Sequence, residues 1–150
     1  MDMGVVTPRE RLPAPDFSLP ALNGGEQSLA QYRGKVILLH FWATWCVSCR
    51  KELPFIQKLW SEYEGGDLVL LGINVDRGNR RGVESFVQEM GLGFPILLDA
   101  DGKVRNAYEI FAMPTTYIIG RDGKIIGRII GERDWSGKKA HALIQSLLNF

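Results

Sequence analysis

The chain has 150 residues, 45% of them hydrophobic and 23% charged, with 18 Lys and Arg against 17 Asp and Glu. That is enough apolar material for one globular domain, and the near-neutral charge without a long basic run gives no footprint for nucleic acid or an anionic membrane surface. No apolar stretch approaches the ~20 residues of a membrane helix, and residues 1–11 contain no hydrophobic signal core.

Residues 1–12, polar and followed by Pro13 and Pro15, read as a flexible lead-in to a single domain over 13–150. Asp16 to Leu19 alternates, Asn23-Gly24-Gly25 signals a turn and Gln27 to Tyr32 returns, so a small hairpin is predicted. Lys35 to Trp42 is a short, continuous apolar run, which suits a strand buried on both faces of a sheet. From Cys46 onward, Leu53, Ile56, Leu59, Trp60 and Tyr63 follow a helical period, with Pro54 predicted to kink the helix and Gly65-Gly66 to end it. Leu68 to Val75 then completes a β-α-β unit.

Val83, Phe86, Val87 and Met90 mark a second amphipathic helix closed by Gly91. A short strand over Phe94 to Leu98, a solvated turn over Asp99 to Gly102 and a short helix over Val104 to Phe111 come next. Thr115 to Gly120 and Lys124 to Ile130 flank Arg121-Asp122-Gly123 and should pair antiparallel. Trp135 to Phe150 reads as a closing helix with Asp134 as its cap, and His141 as a solvated residue on its polar side.

Chemistry is concentrated at the end of the central strand. Both cysteines of the chain, Cys46 and Cys49, sit three apart on the first turn of the following helix. Unpaired N–H groups and the positive end of the dipole favour thiolate there. Cys46 is the candidate nucleophile, and Cys49 can close the small ring that completes thiol–disulfide exchange. A loop this short makes a poor structural staple. Zinc would need two more ligands, and the only histidines are His40 in the strand and His141 far along the chain, so no metal is expected. Arg50 stands where a c-type haem site needs histidine.

In combination, Phe41-Trp42-Ala43-Thr44-Trp45-Cys46, Cys49-Arg50-Lys51-Glu52-Leu53-Pro54, Gly91 to Asp99 and Met113-Pro114-Thr115-Thr116-Tyr117-Ile118 resemble the TlpA/ResA-like thiol–disulfide oxidoreductases. The resemblance runs from about Pro13 to the C-terminus. It implies an α/β thioredoxin-like fold of three α/β/α layers, with a central mixed sheet, an N-terminal hairpin and an inserted strand–helix segment. It also implies a Cys46–Cys49 redox pair with no other cofactor, and Pro114 as the cis-proline beside it. Glu52 matches an active-site glutamate of ResA-like members, against the alternative of a solvated helix carboxylate. His40, where thioredoxins keep an aspartate and many TlpA-like proteins an asparagine, is read either as a proton acceptor for Cys49 or as a satisfied core histidine.

Trp45, Val47, Met113, Pro114 and Thr115 are the candidate substrate-binding residues, the backbone before Thr115 being placed to pair with an extended substrate strand. The partners so implied are disulfide-bearing proteins and an upstream thiol reductant, met by a monomer that inserts no segment into a membrane. The expected setting is extracytoplasmic, with the full-length form exported or anchored and cytochrome c maturation a common role. Val47-Ser48 replaces the proline-containing spacers common in the family, and spacer chemistry tunes redox potential. Two alternatives are weighed. A peroxiredoxin-type thiol peroxidase would need Pro-x-x-x-Thr/Ser-x-x-Cys, but Leu39 and Ala43 precede Cys46 at those positions, and Trp42 and Cys46 precede Cys49. A Cu(I) chaperone would suit soft thiolates but resembles a longer cysteine spacing.

Overall fold

The computed structural model describes residues 3–149, so Phe150 of the predicted closing helix lies outside the described residues. A five-stranded sheet forms the centre. Its strands are β3 (Val36–Trp42), β4 (Leu68–Asn74), β5 (Ile96–Leu98), β6 (Thr115–Ile119) and β7 (Ile125–Ile130), in the spatial order β5-β4-β3-β6-β7. β3 runs parallel to β4 and antiparallel to β6, and all seven of its residues are buried, as its unbroken apolar run requires. The hairpin β1 (Ser18–Pro20) and β2 (Glu26–Ser28) stands apart as a two-stranded sheet.

Alternation along β3 sorts the layers. His40 and Trp42 face α1 (Val47–Tyr63) and α2 (Arg80–Met90), where Trp42 stacks on Phe86 and His40 meets Glu52. Phe41 faces the other way, into a cluster with Tyr108 and Tyr117 at the end of the short helix α3 (Lys103–Ala107). The closing helix α4 (Lys138–Leu148) lies beside α1, where His141 pairs with Glu62 at 2.9 Å and meets Tyr63. The predicted thioredoxin-like arrangement is therefore present.

Four local expectations are corrected. The lead-in is fastened to the outer edge of β7, with Val6 and Arg128 exchanging two backbone bonds and Leu12 accepting from Ile125. Ala21 bridges Leu97 at the opposite edge, so both margins of the sheet are covered. Asp99 is buried rather than solvated, because its carboxylate accepts from the N–H groups of Val104 and Arg105 and starts α3. That helix stops at Ala107, where Glu109 adopts a left-handed conformation. α4 starts only at Lys138: Asp134 closes a tight turn onto Ser136, and the fully buried Trp135 lies in the loop before the helix.

Candidate active site

Cys46 is the N-cap of α1, and its Sγ accepts a hydrogen bond from the Cys49 N–H at 3.2 Å. Cys46 keeps a small exposed edge (8%) whereas Cys49 is fully buried. Burial pushes the Cys49 thiol far up, and its bond with Cys46 and the charges of Cys46 and Glu52 push the same way. The two cysteines are therefore unequal by position alone. Arg50 lies over the Phe86 ring at 5.4 Å, placing its positive charge on the α2 side of the helix start.

The turn that delivers Cys46 is held by groups that sequence reasoning missed. Register sets Trp42 opposite Asn74, so the chain leaving β3 runs beside the chain leaving β4. There Asp76 accepts from the Thr44 N–H at 2.9 Å and from its hydroxyl at 2.6 Å, while Asn74 Nδ2 donates to Asp76 at 3.0 Å. Asp76 thus fixes the loop between β3 and Cys46. The available signal was a polar Asn-Val-Asp closing an apolar strand.

Beneath the cysteines lies a buried polar cluster. Glu52 is on the apolar stripe of α1 with Cys49, Leu53, Ile56 and Leu59, and is 1% exposed, which rules out the solvated reading. Its Oε2 accepts from the Arg133 backbone N–H at 2.9 Å and from Trp135 Nε1 at 2.8 Å. Its Oε1 faces His40 Nε2 at 3.1 Å, outside hydrogen-bond geometry, and neither atom has another partner among the described residues. His40 Nδ1 meets Thr116 Oγ1 at 2.9 Å. The two ring nitrogens of His40 thus face Glu52 and Thr116.

The remaining predicted residues divide. Trp45 (62% exposed) and Val47 (67%) stand out in solvent on either side of Cys46, and Met113 is partly buried. Met113–Pro114 is a cis peptide. Phe41 pairs with Thr115, which sets the 111–114 loop beside the turn leading to Cys46. Thr115 itself is turned inward: it is buried and its hydroxyl donates to Ala112 O at 2.7 Å, so it shapes this loop instead of presenting a side chain to substrate. Phe111, 75% exposed, is an apolar group on the same loop that was not anticipated.

The sequence profile of the AhpC/TSA family matches residues 11–128. The thiol–disulfide oxidoreductase ResA of Geobacillus thermodenitrificans is 39% identical over 128 residues, covering 85% of this chain and 73% of the relative. Among solved structures, the protein named thiol:disulfide interchange protein DsbE from Chlorobium tepidum superposes with a TM-score of 0.84 at 27% identity, covering 93% of this chain and 97% of that one. StoA from Bacillus subtilis gives 0.74 at 29% identity, with 88% and 96% covered. The chain belongs to the AhpC/TSA family and, within it, to the ResA-type thiol–disulfide oxidoreductases.

In this ResA-type enzyme the buried pair has a pH signature. Burial raises Glu52 from 4.5 to about 7, against the opposing bonds from Trp135 and Arg133, and burial lowers His40 from 6.5 to about 3. Glu52 therefore contributes stability at acid pH that is lost as the pH rises from about 4.5 to about 7. His40 contributes stability above 6.5 that is lost as the pH falls toward 3. Between 4.5 and 6.5 the two slopes cancel. Glu52→Gln removes one of them, so its unfolding free energy should climb across that window by ~1.4 kcal/mol per pH unit relative to wild type. Denaturant titrations at both ends of the window check this, and parallel profiles for the two proteins would contradict it.

Proposed function

We propose that this oxidoreductase reduces disulfides of protein substrates outside the cytoplasm, with cytochrome c maturation as its setting and an upstream thiol reductant to recharge it. The observation that carries the reading is the unequal pair: Cys46 has an exposed edge at a helix start between exposed Trp45 and Val47, and Cys49 is sealed beneath it. The Cys46 thiolate attacks one sulfur of the substrate disulfide and releases the other as a thiolate. Cys49 then gives its proton to Glu52 and attacks Cys46 Sγ, the bond from Cys46 to substrate breaks, and the second substrate sulfur leaves. Two electrons have passed to the substrate, and the protein holds a Cys46–Cys49 disulfide.

Glu52 suits the proton step. It lies one helical turn from Cys49, its charge opposes the Cys49 thiolate, and its own acidity is moved to the neutral range. Trp45, Val47 and Met113 supply an apolar contact for a substrate segment passing Cys46.

The direction of electron flow is tested by the equilibrium potential against a glutathione or dithiothreitol buffer. A reductant should fall near thioredoxin's ~−270 mV, whereas a value near ~−120 mV would make the protein an oxidant and overturn the reading. Catalytic amounts should also accelerate reduction of a protein disulfide by excess dithiol.

A further inference from the structure

The hydrogen accounting of the buried cluster identifies a residue outside the cysteine motif. Thr116, His40 and Glu52 are 2%, 0% and 1% exposed, so their polar atoms must find partners within the protein. Glu52 Oε2 already receives two N–H groups, while among the described residues Oε1 receives none and faces His40 Nε2, at 3.1 Å. An ionised carboxylate oxygen can only accept, so when Glu52 is charged Nε2 must carry the ring's hydrogen if this contact is to be favourable. A neutral imidazole then has a bare Nδ1, and the group there, at 2.9 Å, is the Thr116 hydroxyl. Thr116 and His40 are directly opposed across β6 and β3, which holds the hydroxyl in register with the ring.

We propose that Thr116 is a positioning residue of the proton-exchange system: its hydroxyl donates to His40 Nδ1, fixes the Nε2–H tautomer and so makes the ring a third hydrogen-bond donor to the Glu52 carboxylate. His40 transfers no proton. The 3.1 Å separation of the two atoms lies within N–H···O distance. By favouring the carboxylate, the chain from Thr116 makes Glu52 a better-prepared acceptor for the Cys49 proton at neutral pH. The other charged and titratable groups acting on this cluster are Cys46 and Cys49 at the start of α1 and Glu132 and Arg133 on the loop after β7. None of them occupies Oε1.

The inference rests on Glu52 taking the Cys49 proton, so the test separates the two. Reduced protein is mixed with a chromophoric aromatic disulfide, and release of the second thiol, the resolution step, is followed against pH. Thr116→Val keeps the shape but removes the hydroxyl. It should move the acid limb of the profile up by roughly half to one pH unit, a three- to tenfold slowing below the midpoint, while Thr116→Ser restores the wild-type profile. In His40→Asn the Thr116→Val change should have no further effect. A Thr116→Val profile that superposes on wild type while Glu52→Gln shifts it overturns the proposal. If Glu52→Gln leaves the profile unmoved, the proton role of Glu52 fails, and nitrogen NMR of the wild-type ring decides the positioning role by itself. Hydrogen on Nε2 in the wild type, lost or shared with Nδ1 in Thr116→Val, upholds it; hydrogen on Nδ1 in the wild type overturns it.

Discussion

Cys49→Ser will stop turnover and leave substrate covalently attached to Cys46. Serine cannot resolve the mixed disulfide, so protein-disulfide reduction should fall by on the order of 10³-fold or more, while one equivalent of substrate thiol is still released in a first burst. The partial exposure of Cys46 and the complete burial of Cys49 set this order. Cys46→Ser should lose the burst as well. Intact-mass measurement after reaction with a protein disulfide distinguishes the cases, and an adduct found on Cys49 in the Cys46→Ser variant, with none on Cys46 in Cys49→Ser, would reverse the roles.

The largest stability effect is expected at Trp135, a residue remote in sequence from the cysteines. Its side chain is fully buried, and its indole N–H is one of two hydrogen-bond donors to Glu52 Oε2. Trp135→Ala leaves a cavity and removes a donor from a buried carboxylate, so a loss of ~4 kcal/mol is expected, within the range for deleting a buried aromatic side chain. For a domain of this size that lowers Tm by roughly 8–16 °C. Trp135→Phe fills most of the space but not the bond. Above about pH 7, where Glu52 is ionised, it should cost ~1.5–3 kcal/mol, the span for a hydrogen bond to a charged group, and the gap to wild type should narrow at acid pH, where Glu52 is protonated. Thermal unfolding of both variants at alkaline and acid pH reads this directly. A Trp135→Phe variant as stable as wild type at alkaline pH would show that the indole bond contributes nothing.

Both effects converge on Glu52, and the path by which it became recognisable shows where sequence reasoning stops. The pattern Cys49, Glu52, Leu53, Ile56 already places a carboxyl on the apolar stripe of α1, so its burial was legible from helical period alone. Its partners were not. Arg133 and Trp135 are 81 and 83 residues away, and the spacing of Trp135 fits the apolar face of the closing helix, which predicts it as part of that helix. The tight Asp134–Ser136 turn, not helical period, holds it in place instead.

His40 teaches the same lesson from the other direction. Alternation along β3 correctly turned it toward the active-site helix, and its apolar neighbours foretold a neutral ring. Which nitrogen meets which group depends on Thr116, 76 residues on, and on the rotamer of Glu52. A family resemblance that places Cys49 above the strand does not fix those directions.

What the amino-acid order determined by itself was local and periodic: a strand apolar on both faces, two cysteines on the first turn of the helix after it, the helix stripes, and the hairpin around Asp122-Gly123. These are legible because burial, dipole and turn chemistry act between residues a few positions apart. Only the tertiary structure decided how buried polar groups are satisfied: Asp76 on Thr44, Asp99 on the start of α3, Trp135 and Arg133 on Glu52, and Thr116 on His40. A buried donor or acceptor must find a partner, but any segment that the fold brings within 3 Å can supply it, and no local period encodes which one does.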